Sequence, residues 1–245
     1  MKKLIVIITI LALATTAFAT ESDPSETVGF VKIASSVGYT PFSLPFTFYD
    51  ATHTETMDID DVIGNQLTGG TIFTGDRIIE IGGTAYSYLL AAGTWSGTLV
   101  DFVDNKGYYF KIQSGHSAKD VYIAGTVEQS AQLIANCGVG YTSVSVNEAG
   151  EIPVANLDLI TSGFTGGTIF DSDRLIELGG TAYAYYNTTT LNWGGSLLNI
   201  EPGKVYYVKV QSGHTPFNWN YDPFSKGTTE GKVKINKITK PINFK

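Results

Sequence analysis

The sequence predicts an all-β protein: two tandem homologous β-rich domains, sandwich- or barrel-like, with short turns and little helix. Three observations predict it: a long internal repeat, apolar alternation with a period of two inside each copy, and a composition of strand and turn formers. The 27 Gly, 14 Tyr and 13 Phe, against two Met, suit pleated strands and tight turns better than packed helices.

The repeat is the strongest of the three. Asp61–Tyr88 aligns without a gap onto Asp158–Tyr185, with 18 of 28 positions identical. Thr68-Gly-Gly-Thr-Ile-Phe73 recurs as Thr165 to Phe170, and Asp76-Arg77 through Tyr86 recurs as Asp173-Arg174 through Tyr183. After one added residue, Lys106–His116 aligns with Lys204–His214, and Trp95 with Trp193. Substitutions between the copies keep apolar positions apolar, as in Phe110 against Val208, which fits two cores of similar shape.

Inside each copy the period is two. Tyr108, Phe110 and Ile112 share one strand face and Tyr109 and Lys111 the other; Tyr206, Val208 and Val210 repeat the pattern against Tyr207 and Lys209. Ile78 to Ile81, then Gly82-Gly83, then Thr84 to Leu90 reads as a hairpin whose glycines supply positive φ. Only Asp60–Gln66 and Asn156–Ser162 offer a single helical turn each.

The ends of the chain differ from the repeats. Met1-Lys2-Lys3, the apolar run Leu4–Ala14 and Ala17-Phe18-Ala19 read as a signal peptide (1–19) cleaved after Ala19. The apolar run is short of the roughly 20 residues of a bilayer span, so no membrane span is expected after cleavage. A first module is expected at 20–120, a second at 121–225, and a basic tail at 226–245. Residues 20–225 carry 8 Lys and Arg against 22 Asp and Glu, whereas the tail carries 6 Lys and one Glu. An acidic body excludes nucleic acid as a natural partner. The tail places Val233 and Ile235 on one face and Ile238, Ile242 and Phe244 on the other parity, which predicts an assembly strand with a bend near its middle. Cys137 is the single cysteine, so no disulfide forms within the chain; a buried thiol and an intermolecular disulfide are its two readings.

A resemblance adds to this. Val28-Gly-Phe-Val-Lys32, Phe42-Ser-Leu-Pro-Phe46, the Gly-Gly-Thr-x-Phe turn and the Gly107-Tyr-Tyr strand resemble an uncharacterised family of secreted bacterial tandem β modules. In that family a Leu-Ile-x-Asn-Pro corner follows the first strand, which Val121–Gly125 and Leu133–Asn136 would supply in the second copy. Cys137 stands where Pro is usual, and Val205 replaces the second Gly of the turn at Pro202-Gly203. The resemblance implies secretion and a β fold and carries no catalytic residues.

Candidate chemistry is sparse. His116 and His214 recur in Gln-Ser-Gly-His turns without a second ligand at metal spacing, so a structural or surface role is expected, and His53 has no counterpart. Asp76-Arg77 with Glu80, and Asp173-Arg174 with Glu177, are expected on turns and a solvated face. Asp58, Asp60 and Asp61 form the densest carboxylate cluster and are the candidate Ca²⁺ ligands, Ca²⁺ being the one cofactor the sequence raises. Trp95 and Trp193, in glycine-bearing loops, either cap the core or offer a flat face to a sugar ring. Tyr109 and Tyr207, which alternate onto the Lys-bearing strand face, are the other candidate ligand contacts. No nucleophile elbow, phosphate loop, His-Glu-x-x-His or Cys-x-x-Cys occurs.

These readings converge on an exported, non-enzymatic structural or adhesive protein of the cell exterior, secreted or surface-held, with the periplasm as the other compartment. Its expected partners are itself or other surface components. A carbohydrate-binding module using Trp95 and Trp193, with a glycan as partner, is the alternative, and a secreted hydrolase the third reading.

Overall fold

The structure, a computed structural model, describes residues 28–48, 55–127, 132–146, 148 and 150–221. The leader 1–19, His53, the tail 226–245 and its assembly residues lie outside the described residues. What is described is nearly all β, in antiparallel sheets.

The first copy runs β1 (Val28–Ser35), β2 (Gly38–Ser43), a short α1 (Ile59–Val62), β3 (Arg77–Glu80), β4 (Tyr86–Leu89), β5 (Trp95–Gly97), β6 (Gly107–Ile112) and β7 (Lys119–Thr126). Five strands form one sheet in the order β2-β6-β3-β4-β5, and β1 pairs with β7 along its whole length. β7 thereby straddles residue 120, where the sequence places the module boundary. The β3–β4 hairpin is the one expected from Gly82-Gly83: Gly82 takes φ +79°, which an L side chain resists.

The second copy repeats this strand for strand. β8 (Gln132–Cys137), β9 (Gly140–Val144), β11 (Arg174–Glu177), β12 (Tyr183–Asn187), β13 (Asn192–Gly195), β15 (Tyr206–Val210) and β16 (Phe217–Tyr221) correspond to β1 to β7 in order. Its sheet is β13-β12-β11-β15-β9, and β16 pairs with β8. A short β10 (Ile152–Pro153) and β14 (Asn199–Ile200) pair is added, and α2 (Leu159–Ser162) matches α1. α2 falls within the expected Asn156–Ser162, and α1 overlaps Asp60–Gln66 but starts one residue before it.

The alternation sorts each closing strand as expected. Tyr108, Phe110 and Ile112 are buried in one core, and Tyr206, Val208 and Val210 in the other. Burying each such side chain contributes on the order of 1.5–3 kcal/mol. Phe42 stacks on Phe110 at 3.7 Å between ring centroids, and Phe102 meets Tyr108 edge-on. Burial pushes the Tyr108 and Tyr206 phenols up to about 12, and each hydroxyl faces a backbone N–H, Val103 at 2.7 Å and Glu201 at 2.8 Å. The second core closes with Trp219, whose indole N–H donates to the Leu157 carbonyl at 2.7 Å.

The two copies meet along a seam with approximate two-fold symmetry. Ser43, at the end of β2, donates its N–H to the Gly203 carbonyl (2.9 Å) and its hydroxyl to the Lys204 carbonyl (2.8 Å). Ser145, its counterpart, donates to the Asn105 carbonyl (3.1 Å) and the Lys106 carbonyl (3.3 Å). Both serines are fully buried. Gly107 and Val205, equivalent in the repeat, touch each other here, and a Cβ on Gly107 would land on the Val205 methyls. An axis that brings one residue against its own duplicate has room for one side chain. The difference between the copies at this position is thus a packing requirement.

Candidate functional site

The duplicated polar residues act as pins. Asp76 is fully buried, a correction to the solvated role expected of it. Its Oδ1 accepts from the Gln113 N–H (2.9 Å) and the His116 Nδ1 (2.7 Å), and its Oδ2 from the Thr68 N–H (2.9 Å). Asp173 repeats this with Gln211 (2.8 Å), His214 (2.7 Å) and Thr165 (2.8 Å). One carboxylate ties together the start of the Gly-Gly turn, the end of the closing strand and the Gln-Ser-Gly-His turn. Three donors on a desolvated carboxylate satisfy a charge that would otherwise be costly to bury. As the carboxylate accepts, the imidazole proton sits on Nδ1. His116 and His214 thus take structural roles, as their isolation in sequence implied.

The neighbouring residues hold the turn itself. The Arg77 guanidinium donates to the Ile72 carbonyl, and that of Arg174 to the Ile169 carbonyl at 2.6 Å. Gly69 passes so close to the Leu90 carbonyl that a Cβ has no room. The Thr71 and Thr168 hydroxyls accept the N–H of Phe73 and Phe170 at 3.2 and 3.3 Å. At the tip of each fixed turn stands a phenylalanine in water: Phe73 is 81% exposed and Phe170 79%. The two copies thus expose a large apolar side chain at the same position of a well-anchored loop.

Glu80 and Glu177 pair with Lys106 and Lys204 rather than with the arginines on their own strands. Burial works against the Lys204 charge, but Glu177 and Glu201, both at 2.8 Å, outweigh it and raise its pKa.

The aromatic candidates divide. Trp95 and Trp193 are half-buried and pack against the two cores, Trp95 donating to the Gly64 carbonyl at 2.8 Å and Trp193 lying against Phe164 and Tyr186. Tyr109 and Tyr207 are half-buried and meet across the seam; burial, then Tyr207, pushes the Tyr109 phenol up. Tyr39 stands edge-on to Tyr109 and Tyr141 edge-on to Tyr207. Sequence reasoning missed Tyr39, Tyr141, Ser43 and Ser145, although Gly-Tyr-Thr-x-x-Ser recurs at Gly38–Ser43 and Gly140–Ser145.

The acidic cluster is occupied by local bonds. Asp58 caps α1, accepting the Asp60 N–H at 2.7 Å, and Asp61 accepts from the Thr56 hydroxyl at 2.9 Å. Burial, then Asp58 and Asp61, raises the Asp60 pKa. Among the described residues no three His, Cys, Asp or Glu side chains are placed to share a metal ion. Cys137 is buried in the second core with its thiol pushed up to about 12 by burial. No described helix is long and apolar enough to cross a membrane. No protein-family model, curated protein or solved structure matches the chain.

Proposed function

We propose that this is an exported, non-enzymatic structural or adhesive protein of the cell exterior that meets its partners through the paired tips Phe73 and Phe170. The matched exposure of these two rings carries the reading. The duplicated groups with chemical potential, Asp76 with His116 and Asp173 with His214, are spent on holding the turns in place. Among the residues that the duplication leaves in water are three apolar or aromatic pairs: Tyr39 and Tyr141, Phe73 and Phe170, Val100 and Leu198.

Covering one phenylalanine is worth roughly 1.5–3 kcal/mol, so engaging both supports about a 10²- to 10⁴-fold gain in gross affinity. In this reading the basic tail adds self-assembly, its six Lys steered by an acidic body, with the outermost strands β5 and β13 as the sheet edges it pairs with.

Sedimentation and electron microscopy of the mature chain test this, alongside Phe73→Ser/Phe170→Ser and a chain lacking residues 231–245. Self-association lost in the double serine variant at unchanged melting temperature supports the tips, and loss on tail deletion supports the strand. A mature chain that stays monomeric at high concentration and does not adhere to surfaces coated with itself sinks the reading.

A further inference from the structure

We infer that the seam between the copies holds one saccharide-binding cleft per chain. The cleft has a volume of about 690 Å³, within the roughly 300–1,000 Å³ usual for small-ligand sites. The first copy contributes Glu80, Lys106 and Gly107, and the second Tyr141, Ser143 and Tyr207. Neither copy alone makes it.

The walls set the chemistry. The Tyr141 and Tyr207 rings lie 5.7 Å apart at 77°, forming a corner of two aromatic surfaces, and Tyr141 is 62% exposed. The Lys209 ammonium lies over the Tyr141 ring, 5.4 Å from its centroid, and the aromatic faces it leaves uncovered suit the C–H side of a pyranose. Opposite them, Glu80 and Lys106 pair with one another, so the polar wall has donors and acceptors without net charge. A purely apolar ligand would strip water from these groups without bonding them. An anion would meet one lysine neutralised by Glu80 and a second, Lys209, laid over the Tyr141 ring, in a body rich in carboxylates. A neutral polyhydroxylated ring satisfies both walls. Trp95 and Trp193, the aromatic pair that sequence singles out, lie against the cores and take no part in this cleft.

Broken symmetry makes the site single. Around the equivalent position of the other half-seam, Pro41 stands where Ser143 does and Val205 where Gly107 does. There the Pro41 ring presses on Gly179, its Cγ 2.9 Å from where a Cβ would be, and Lys204 is held between two carboxylates. Ser143 leaves open beside Gly82 the space that the Pro41 ring takes beside Gly179, while the Val205 methyls sit on the axis against Gly107. The other half-seam has a smaller cleft of about 420 Å³ at Pro41 and Lys204, but neither Tyr39 nor Glu177 lines it, so it lacks the tyrosine corner.

The mature chain is titrated with glucose, galactose, mannose, N-acetylglucosamine, cellobiose and chitobiose, following backbone amide shifts by NMR and stoichiometry by calorimetry. At least one sugar is expected to saturate at one per chain, with shifts centred on Glu80, Lys106 and Tyr141. Tyr141→Ala weakens binding about 10-fold or more, whereas Tyr39→Ala, its counterpart across the axis, leaves it unchanged. Ser143→Pro abolishes binding and retains the fold, because proline already occupies the matching position of β2. The Tyr141 and Tyr39 pair decides the matter if Ser143→Pro does not fold. The inference is independent of the adhesive reading, since Phe73→Ser/Phe170→Ser leaves sugar binding intact. No saturation by any of these sugars at tens of millimolar, two sugars per chain, or equal loss in Tyr39→Ala overturns it.

Discussion

Replacing Asp173 with asparagine is the sharpest perturbation of the pinned turns. The carboxylate is fully buried and accepts three hydrogen bonds, from the Thr165 N–H at 2.8 Å, the Gln211 N–H at 2.8 Å and the His214 Nδ1 at 2.7 Å. Asparagine keeps the shape and one oxygen. If that oxygen stays on Gln211 and His214, the new amide group points its protons at the Thr165 N–H, donor against donor. The turn then loses one charge-assisted bond outright and the extra strength of two others. Bonds to a charged group are worth about 1.5–3 kcal/mol net, and an orphaned buried donor costs about 1–3 kcal/mol. Because the three bonds share one acceptor they do not simply add, so the expected loss is about 2–4 kcal/mol. Asp76→Asn should cost the same within about 1 kcal/mol, since its three distances match to 0.1 Å. Urea unfolding followed by fluorescence reads this as a lower midpoint at unchanged slope. A change under about 0.5 kcal/mol, the range of ordinary surface substitutions, refutes the claim that these carboxylates hold the turns.

Three further outcomes follow from the same structure. Tyr108, Tyr206 and Cys137 all hold their protons more tightly folded than unfolded, so their contribution to stability is intact below about pH 9; urea midpoints should fall as pH rises from there toward 12, and a flat or rising profile contradicts the burial of these groups. Cys137 in the native chain should resist a thiol-reactive dye at pH 8 and react fully in denaturant, whereas rapid native labelling or a disulfide-linked dimer contradicts its placement in the second core. Millimolar Ca²⁺ should leave the melting temperature unchanged, because Asp58 and Asp61 already serve a helix cap and a threonine; a rise of several degrees shows a site.

Much of the fold is legible in the sequence because its signals are local. Alternation over Tyr108–Ile112, the Gly82-Gly83 hairpin and the two single helical turns depend on neighbours a few residues away. What escapes depends on partners far along the chain. Asp76 sits beside an arginine in a glycine-rich stretch and reads as solvated; only the return of Gln113 and His116, 37 and 40 residues later, buries it. The tips escape for the opposite reason. Phe73 follows Ile72 inside the most repeated block, where apolar character reads as core, yet the Arg77 bond to the Ile72 carbonyl helps hold the turn that carries the ring into water. The seam has no periodic signal at all. Gly107 against Val205 is visible in sequence only as a loose end of the repeat, and its meaning appears once the two residues are seen in contact.

That contact gives the most direct test of the central claim, that the duplicated copies share one fold and close on each other about an axis that admits one large side chain. Gly107→Val places a second branched side chain beside Val205 and should cost about 1–3 kcal/mol by overpacking. Val205→Gly removes a side chain only 1% exposed and should cost about 2–4 kcal/mol in lost burial and chain entropy. The reciprocal chain, Gly107→Val/Val205→Gly, restores one large and one small residue on the axis. The account predicts that denaturation of all four proteins shows the double variant more stable than the sum of the single losses by at least about 1 kcal/mol. Losses that add to within about 0.5 kcal/mol would contradict it, since independent costs mean that Gly107 and Val205 do not share the axis.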